Sequence, residues 1–425
     1  MIADPELKAG HRSAAKYFSR MRVLTFPIML LLILQKSAKS LQLVLNELLG
    51  KLHLPPVSKS AFSQARPHLR HTVFIELNQR GLVDVYYADG DYQRYWGLRV
   101  VAIDGSKVIL PDNPAIYAEF GTVKRPSGRR GQPGQGSYSY ALASVLYDVL
   151  NEIALDSRLG DTQAYEIDLA EEQLASTQAD DLLVCDRNYP SYRFVATLIQ
   201  RQRHFVIRCS RSSFGPVRAM FKGAGADSQI VSLTPQWSQR ADIRQRGLPL
   251  VITVRLVRLT LANGDTEILV TDLLDETAYP TVEFGPLYHL RWGIETFYGR
   301  LKTRLGLENF SGTSPEAVKQ DFFATVFITG LESILTDTAQ ARLAVLSTQT
   351  RHTYQVNRTV SFNAIKNHVL ELFYTQTDDE VLFDKLTALF LTSPTCIRPD
   401  RVVPRQSRSH WHLLSYQRRK KKICF

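Results

Sequence analysis

Apolar residues follow a helical pattern through the first part of the chain. The run FPIMLLLIL, residues 26–34, is the most hydrophobic stretch and is too short to span a bilayer, so it predicts a buried helix. The stretch LQLVLNELLGKLHLPP predicts a second helix that stops at its glycine and its proline pair. The stretch after it carries Lys59, Arg66 and Arg70, and it has two interpretations: a small DNA-binding helical module, or a packing domain with a solvated basic face.

The pattern becomes that of a mixed α/β fold near residue 93. LRVVAIDGSKVIL is rich in β-formers, and Asp104-Gly105 within it is a turn signal between two strands. DLLVCDRNYPSYRF predicts a short buried strand that ends at Asp186, followed by a loop and a helix. Farther along, LPLVITVRLVRLTLANGDTEILVTDLLD predicts a long hairpin that turns at its Asn-Gly-Asp sequence.

One later segment, YHLRWGIETFYGRLK, concentrates polar side chains on one side of a predicted helix. At about 100° per residue, Tyr288, Arg291, Glu295 and Lys302 fall within an arc of roughly 60°. The opposite, apolar side consists of Leu290, Ile294, Phe297 and Leu301. An ordinary amphipathic helix explains most such patterns, but here the polar stripe is narrow and includes a tyrosine ring.

The net charge of the chain indicates which class of molecule it binds. The formal net charge of +11 and the high proportion of Lys and Arg favour a polyanionic partner, nucleic acid before membrane. The four cysteines show no metal-ligand or disulfide spacing, so we expect reduced thiols in a cytosolic protein. The N-terminus shows no secretion signal.

Two aspartates and a glutamate are the candidate catalytic groups. Asp104 and Asp186 each follow an apolar strand, and Glu295 lies on the predicted polar stripe. A single aspartate after a strand is usually turn chemistry. Three carboxylates converging at the rim of a sheet would repel one another unless a hard cation lay between them. Such a site suits two Mg²⁺ ions about 4 Å apart that activate an attacking oxygen and stabilise the leaving one. Tyr288, Arg291 and Lys302 would then hold neighbouring phosphates.

These residues resemble those of a known family, the DDE transposases of the insertion sequence 4 group. The family signature, Tyr-x2-Arg-x3-Glu-x6-Lys, is matched at all four positions by YHLRWGIETFYGRLK, and Trp292 stands where the family often has tryptophan after the arginine. AIDGSKVILPDNP is similar to the region of the first aspartate, and VCDRNYPSYRF to that of the second. Asn188 stands where glycine is common in the region of the second aspartate, and it is compatible with the same backbone bend. The resemblance runs from about residue 100 to 307.

The resemblance implies an α/β fold: an RNase H-like catalytic domain with a β-rich insertion, flanked by helical N-terminal and C-terminal regions. It divides the chain into five regions: 1–92, helical and a candidate for DNA binding; 93–208, the first part of the catalytic domain; 209–280, the β-rich insertion; 281–340, the remainder of the catalytic domain with the glutamate helix; and 341–425, a helical C-terminal region with a basic tail.

The resemblance also implies the chemistry. Asp104, Asp186 and Glu295 would bind two Mg²⁺ ions, for which Mn²⁺ can substitute. The enzyme would cleave double-stranded DNA at terminal inverted repeats and join the freed 3′-hydroxyl to target DNA. Two ends must be brought together, so a homodimer or larger synaptic assembly is expected, cytoplasmic and nucleoid-associated, with no membrane partner. Trp292 is a candidate for stacking on a flipped base, and Arg187 is a candidate DNA contact.

Basic segments outside the motifs have two interpretations each. VKRPSGRRGQPGQGSY lacks the Gly-Lys-Ser/Thr ending of a phosphate-binding loop. We favour a loop that becomes ordered on DNA over an uninvolved surface loop; its candidate contacts are Lys124, Arg125, Arg129 and Arg130. The basic C-terminal tail either adds phosphate contacts or only solubilises the chain. Trp237 matches no family position and is expected to be a core or surface indole.

Three functions follow from these residues. The leading one is an active transposase. A structure-specific nuclease would keep the three carboxylates without joining ends, and a DNA-binding derivative would have lost catalysis. The complete carboxylate set disfavours the last, and the phosphate-holding residues favour the first.

Overall fold

The computed structural model describes residues 1–20, 22–36, 39–124 and 136–397. The chain forms two compact units, each assembled from separate stretches. The helical unit contains Met1–Asp89, Lys107–Ala141 and the residues from Gly299 onward, and the sheet unit contains Gly90–Ser106 and Leu142–Tyr298. At 106/107, 141/142 and 298/299 the chain passes from one unit to the other within regular secondary structure, and at 89/90 it does so between elements.

The elements are numbered along the chain. The α-helices are α1 (Pro5–His11), α2 (Phe26–Leu34), α3 (Leu41–Lys51), α4 (Lys59–Ala65), α5 (Thr72–Asn78), α6 (Asp84–Tyr86), α7 (Pro114–Phe120), α8 (Glu166–Gln173), α9 (Tyr192–Gln200), α10 (Gly215–Phe221), α11 (Arg240–Gln245), α12 (Phe284–His289), α13 (Trp292–Gly299), α14 (Pro315–Thr348), α15 (Arg358–Asn367), α16 (Val369–Phe373) and α17 (Asp379–Leu391). The strands are β1 (Arg99–Ile109), β2 (Val123–Lys124), β3 (Ser137–Tyr138), β4 (Tyr140–Asp148), β5 (Ile153–Gly160), β6 (Asp181–Cys185), β7 (His204–Cys209), β8 (Ser228–Leu233), β9 (Ile252–Thr260), β10 (Thr266–Thr271), β11 (Thr353–Gln355) and β12 (Thr395–Ile397).

Among the described residues, the sheet unit is built on an eight-stranded sheet in the order β5-β4-β1-β6-β7-β10-β9-β8. β6 is parallel to β1 and β7 is parallel to β6, whereas β10, β9 and β8 alternate in direction after β7. β4 runs antiparallel to β1, because the Val149 amide donates to the Val100 carbonyl and the Leu110 amide to the Ser139 carbonyl. The strands of residues 209–280 thus extend the same sheet beyond β7, and the predicted Asn-Gly-Asp turn joins β9 to β10.

Asp104-Gly105 does not form the predicted turn. β1 continues through both residues as one strand, and its pairing with β4 spans them. The glycine instead allows the Glu166 side chain to pack closely against β1, since a Cβ at Gly105 would lie 2.7 Å from Cγ and Oε1 of Glu166. The sequence was ambiguous here because Asp-Gly is favoured in turns, while a glycine inside a strand also marks a close approach.

The predicted helix over residues 288–302 is interrupted. Leu290 and Arg291 form a turn between α12 and α13, where amides bond three residues back rather than four, and residues 300–304 form a π-helical turn. The stripe therefore does not lie on one regular helix. Tyr288 and Arg291 are also buried, 4 % and 5 % exposed, so they do not form the solvated face of an ordinary amphipathic helix.

The helical unit contains the most apolar helix of the chain. In α2 all residues but Pro27 are buried, which confirms the predicted buried helix. α14 is long and apolar enough to cross a membrane, but its most apolar stretch is 72 % buried, as in the core helix of a soluble protein. The N-terminus of this helix is capped: Ser314 accepts from the Ala317 amide, and Pro315 follows it at the first helical position.

Arg66 is part of the core of the helical unit rather than of a basic surface. Its Nη2 donates to Asp321 Oδ1 at 2.7 Å and its Nε to Gln320 Oε1 at 2.7 Å, and both acceptor residues are fully buried. Arg66 therefore contributes to packing, whereas Lys59 and Arg70 remain exposed.

Candidate active site

Asp104 and Asp186 lie side by side on neighbouring parallel strands. Ile103 of β1 is opposite Cys185 of β6, the last pair of that ladder, so the next residue on each strand is an aspartate. Neighbouring strands are about 4.8 Å apart, and the carboxyl ends of parallel strands face the same edge of a sheet. The apolar residues before each aspartate bury the strands, and the carboxylates come together where β6 ends beside the middle of β1.

The surroundings of Asp104 favour the protonated form of its carboxyl group. Burial raises the pKa of Asp104 to about 7, and the carboxylate of Asp186 adds to the rise. The Gly105 amide, which donates to Asp104 Oδ1 at 2.9 Å, and the Arg291 guanidinium lower the pKa in opposition. Glu166, at the first position of α8, adds a further negative charge. A divalent cation at Asp104 and Asp186 would offset this repulsion.

Glu295 is bound to an arginine. Its Oε1 accepts from Arg291 Nη2 at 3.0 Å, four residues earlier in the chain. Within the described residues, no group of three His, Cys, Asp or Glu side chains is placed to hold a metal ion. The structure therefore brings together Asp104 and Asp186, an oxygen donor pair that fits a hard divalent cation, and leaves Glu295 outside the set.

Tyr288 and Arg291 are buried with polar atoms that lack partners. Among the described residues, the Tyr288 hydroxyl and Arg291 Nε have no hydrogen-bond partner. Burial raises the pKa of Tyr288, so the phenol stays protonated and can donate a hydrogen bond. Buried polar groups are usually hydrogen-bonded, and orphaned ones mark a place for water, an ion or a ligand. Both groups can therefore donate to an anionic oxygen at this edge.

A partly buried ion pair lies beside these two residues. Arg208 of β7 donates from Nε to Glu267 Oε1 of β10 at 2.9 Å. Burial raises the pKa of Glu267, while Arg208 and Arg291 lower it. Sequence reasoning missed this pair and also Glu166, because each residue joins the site through strand order or helix packing and none belongs to a short motif.

Two buried tyrosines lie next to the aspartates. The Tyr298 hydroxyl lies 2.9 Å from the Asp104 carbonyl oxygen and 3.0 Å from that of Ala143, which ties α13 to β1 and β4. Tyr189, three positions after Asp186, is fully buried, and its hydroxyl has no partner. These contacts fix the backbone that carries the first aspartate.

The remaining predicted DNA contacts differ in placement. Trp292 is 43 % exposed, with the Arg291 guanidinium 4.8 Å from its ring centroid, and Arg187 is exposed. Lys302 belongs to the helical unit, where its Nζ donates to the Lys107 carbonyl at 2.7 Å and burial lowers its pKa. Lys124 is exposed at the end of β2. Arg125, Arg129, Arg130 and the basic C-terminal tail lie outside the described residues.

Comparison with known proteins identifies the family. Residues 95–331, more than half of the chain, match the model of the transposase DDE domain. The chain belongs to this family. It is 26 % identical over 281 residues to the transposase InsG for insertion sequence element IS4 from Escherichia coli K12, and the match covers 64 % of this chain and 60 % of InsG. The chain thus matches less than two thirds of this relative's length. The predicted resemblance to DDE transposases of the insertion sequence 4 group is confirmed.

Among solved structures, the chain is similar to the piggyBac transposase in a synaptic complex with hairpin DNA. The two share 11 % sequence identity, with a TM-score of 0.41, and the match covers 91 % of this chain and 78 % of that one.

Proposed function

We propose that this chain is the transposase of a bacterial insertion sequence, which binds terminal inverted repeats and catalyses metal-dependent cleavage and transfer of DNA strands. The observation that carries the proposal is the pairing of Asp104 and Asp186 at one sheet edge, with Tyr288, Arg291 and Glu295 of the family signature in the same unit. The match of residues 95–331 to the transposase DDE domain supports the same function.

The strand order supports an RNase H-like catalytic domain. The five strands β5-β4-β1-β6-β7 consist of an antiparallel meander, β1, β4 and β5, joined to two strands parallel to β1. An RNase H-like fold needs this order. The strands β8–β10 would then belong to the insertion between the second aspartate and the glutamate, and the regions 1–92 and 341–425 would flank the catalytic part, with α1–α6 in the first and α15–α17 in the described part of the second.

Asp104 and Asp186 would hold the divalent ions, two Mg²⁺ or Mn²⁺ in its place, and Glu295 would join them after exchanging Arg291 for the metal. The metal supplies activation of the attacking oxygen and stabilisation of the leaving one. The chain's own side chains would bind the DNA. Tyr288 and Arg291, with unpartnered donor atoms, would bind oxygens of the phosphate backbone. Once Glu295 leaves it, the Arg291 guanidinium is free to do so in bidentate fashion.

The partners would be double-stranded DNA, first the terminal repeats and then the target. A dimer or larger assembly would bring two ends together, in the cytoplasm and on the nucleoid. Trp292, 43 % exposed next to Arg291, would stack on an unpaired base. Arg187 and Lys124 would add phosphate contacts.

The test is an assay with a labelled duplex that carries the terminal repeat found in the DNA flanking the gene. With Mg²⁺, a transposase produces nicked ends and then joined products. Nicking that never proceeds to joining would identify a structure-specific nuclease on the same fold. Binding without nicking, in either metal, would identify a DNA-binding derivative.

A further inference from the structure

We propose that a basic cluster beside the candidate active site, Arg211, Arg218 and Lys222, binds the phosphates of duplex DNA that extends from the cleavage point along the sheet edge. Together with Arg187 it forms a row of positive charge leading away from Asp104 and Asp186. The inference rests on the proposed function, because it concerns the DNA that occupies that site.

Strand directions place the row. β6 and β7 are parallel to β1, so the residues that follow them emerge at the edge that carries Asp104 and Asp186. Arg187 follows β6, and Arg211 follows β7 by two residues. Neighbouring strands are separated by about 4.8 Å, so each strand along the sheet carries the row one step farther from the aspartates.

α10 continues the row over the next strands. Its Val217 and Met220 are buried, and the helix packs against β10. Arg258, near the carboxyl end of β9, donates to the carbonyls of Met220, Ala224 and Gly225 at 3.2, 3.3 and 2.9 Å. β9 is antiparallel to β10, which is antiparallel to β7, so the carboxyl end of β9 lies at the same edge. The C-terminal end of α10 is therefore fixed at that edge.

The cluster consists of exposed cations without acidic partners. Arg187, Arg211, Arg218 and Lys222 are all exposed, and none of them forms a salt bridge with another described residue. The carboxylates close by are already occupied: Asp227 is bound by Arg258, and Glu267 by Arg208. Arg218 lies within α10, and Lys222, four positions later, is the residue that follows its last turn.

Arg211 is held in place by an aromatic ring. Its guanidinium lies 5.6 Å from the centroid of Phe221, the last residue of α10. Cations gathered at one edge of a sheet repel one another, and an anionic partner would offset the repulsion. A DNA strand supplies a negative charge about every 3.4 Å of axis, and its length matches a row better than a single small anion does.

The same unit offers a matched control. Arg240 and Arg244 of α11 are also exposed, four residues apart and without a salt bridge among the described residues. α11 lies between β8 and β9, at the amino end of β9 and thus at the opposite edge of the sheet. Removing these two charges changes the net charge as much as removing Arg218 and Lys222 does.

The experiment compares the variants R218Q/K222Q and R240Q/R244Q with the natural chain. Fluorescence anisotropy measures binding of a terminal-repeat duplex without divalent metal over a series of salt concentrations. Each phosphate contact contributes about 0.9 to the slope of log K against log salt, so the α10 variant should lose about 1.8 of slope and the control none. Thermal unfolding of both variants shows that they are folded.

Either of two results would overturn the proposal: an unchanged slope for the α10 variant, or equal losses for both variants, which would indicate only a general effect of net charge. An Arg218→Lys/Lys222→Arg variant, which keeps both charges, should bind like the natural chain. The outcome is independent of catalysis. If the natural chain never nicks DNA, the proposed function fails, while the comparison of slopes still decides where DNA binds.

Discussion

Arg291 donates from Nη2 to Glu295 Oε1 at 3.0 Å, and its guanidinium also interacts with Asp104. The Arg291 guanidinium thus lies near two carboxylates, those of Glu295 and Asp104. Arg291 is buried in the turn before α13, whereas Glu295 is only partly buried, so the carboxylate side of the pair is the side that a divalent ion can reach. We infer that Arg291 holds the glutamate until metal and DNA arrive.

Replacing Asp104 by Asn should stabilise the metal-free protein near pH 8. The pKa of Asp104, about 7, is above its ordinary value, so the folded state binds more protons than the unfolded chain between about pH 4 and 7. Stability is lost as pH rises through that window. The gain from the substitution has an upper limit of about 4 kcal/mol. Thermal unfolding with and without Mn²⁺ checks it: metal should raise the midpoint of the natural chain and leave D104N unchanged. A less stable D104N at pH 8 would contradict the prediction.

His204 should make stability fall at mildly alkaline pH. Its Nδ1 lies 2.8 Å from Asp272 Oδ2, and this hydrogen bond raises the pKa of the imidazole. The contribution is complete below the unfolded value of about 6.5 and disappears as pH rises through the raised folded value. Denaturant unfolding at pH 5.5 and 8.5 measures it. H204Q should flatten the difference between the two pH values, and a natural chain that gains stability over this range would refute the assignment.

Arg255 should be essential for the placement of α12. Its fully buried guanidinium donates to the Tyr279 carbonyl at 2.7 Å and to Thr281 Oγ1 at 2.8 Å, and lies 5.2 Å from the ring of Phe284. R255M leaves several buried acceptors unpaired, at about 1–3 kcal/mol each. We expect a loss of at least about 3 kcal/mol in the free energy of unfolding. R258M, which removes an arginine at the rim of the same strand, should cost less, and equal losses would contradict the assigned role.

Gly105 should tolerate no side chain while Glu166 is present. A Cβ there would lie 2.7 Å from Glu166 Cγ, so G105A must push the glutamate aside. Overpacking of this kind costs about 1–3 kcal/mol. The double variant G105A/E166A should recover most of the loss, since the obstructing atoms are gone. A double-mutant cycle in thermal unfolding measures the coupling, and strictly additive effects would show that the contact is not the reason for the glycine.

Much of the sheet was predictable because its signals are local. The β6 strand ending before Asp186, the β9–β10 hairpin and the caps of α14 each depend on a few neighbouring residues. The strand conformation of Asp104-Gly105 was not predictable from the sequence. Only the pairing of β1 with β4 and the approach of Glu166 decide between a turn and a strand there.

The candidate site was predictable in its residues and not in its arrangement. The signature spacing fits a regular helix, but the turn at Leu290 and Arg291 buries Tyr288 and Arg291. Glu267 and Arg208 come from strands that become neighbours only through the sheet order. No sequence pattern contains that information.

The central claim, that Glu295 completes a metal site with Asp104 and Asp186, is tested most directly by E295Q. Single-turnover cleavage of the terminal-repeat duplex with Mg²⁺ or Mn²⁺ is measured beside anisotropy of the same duplex. We predict that E295Q binds DNA with nearly natural affinity and that cleavage falls by at least about a thousandfold, the magnitude expected for loss of several kcal/mol of transition-state stabilisation. Cleavage by E295Q at the natural rate would contradict the account.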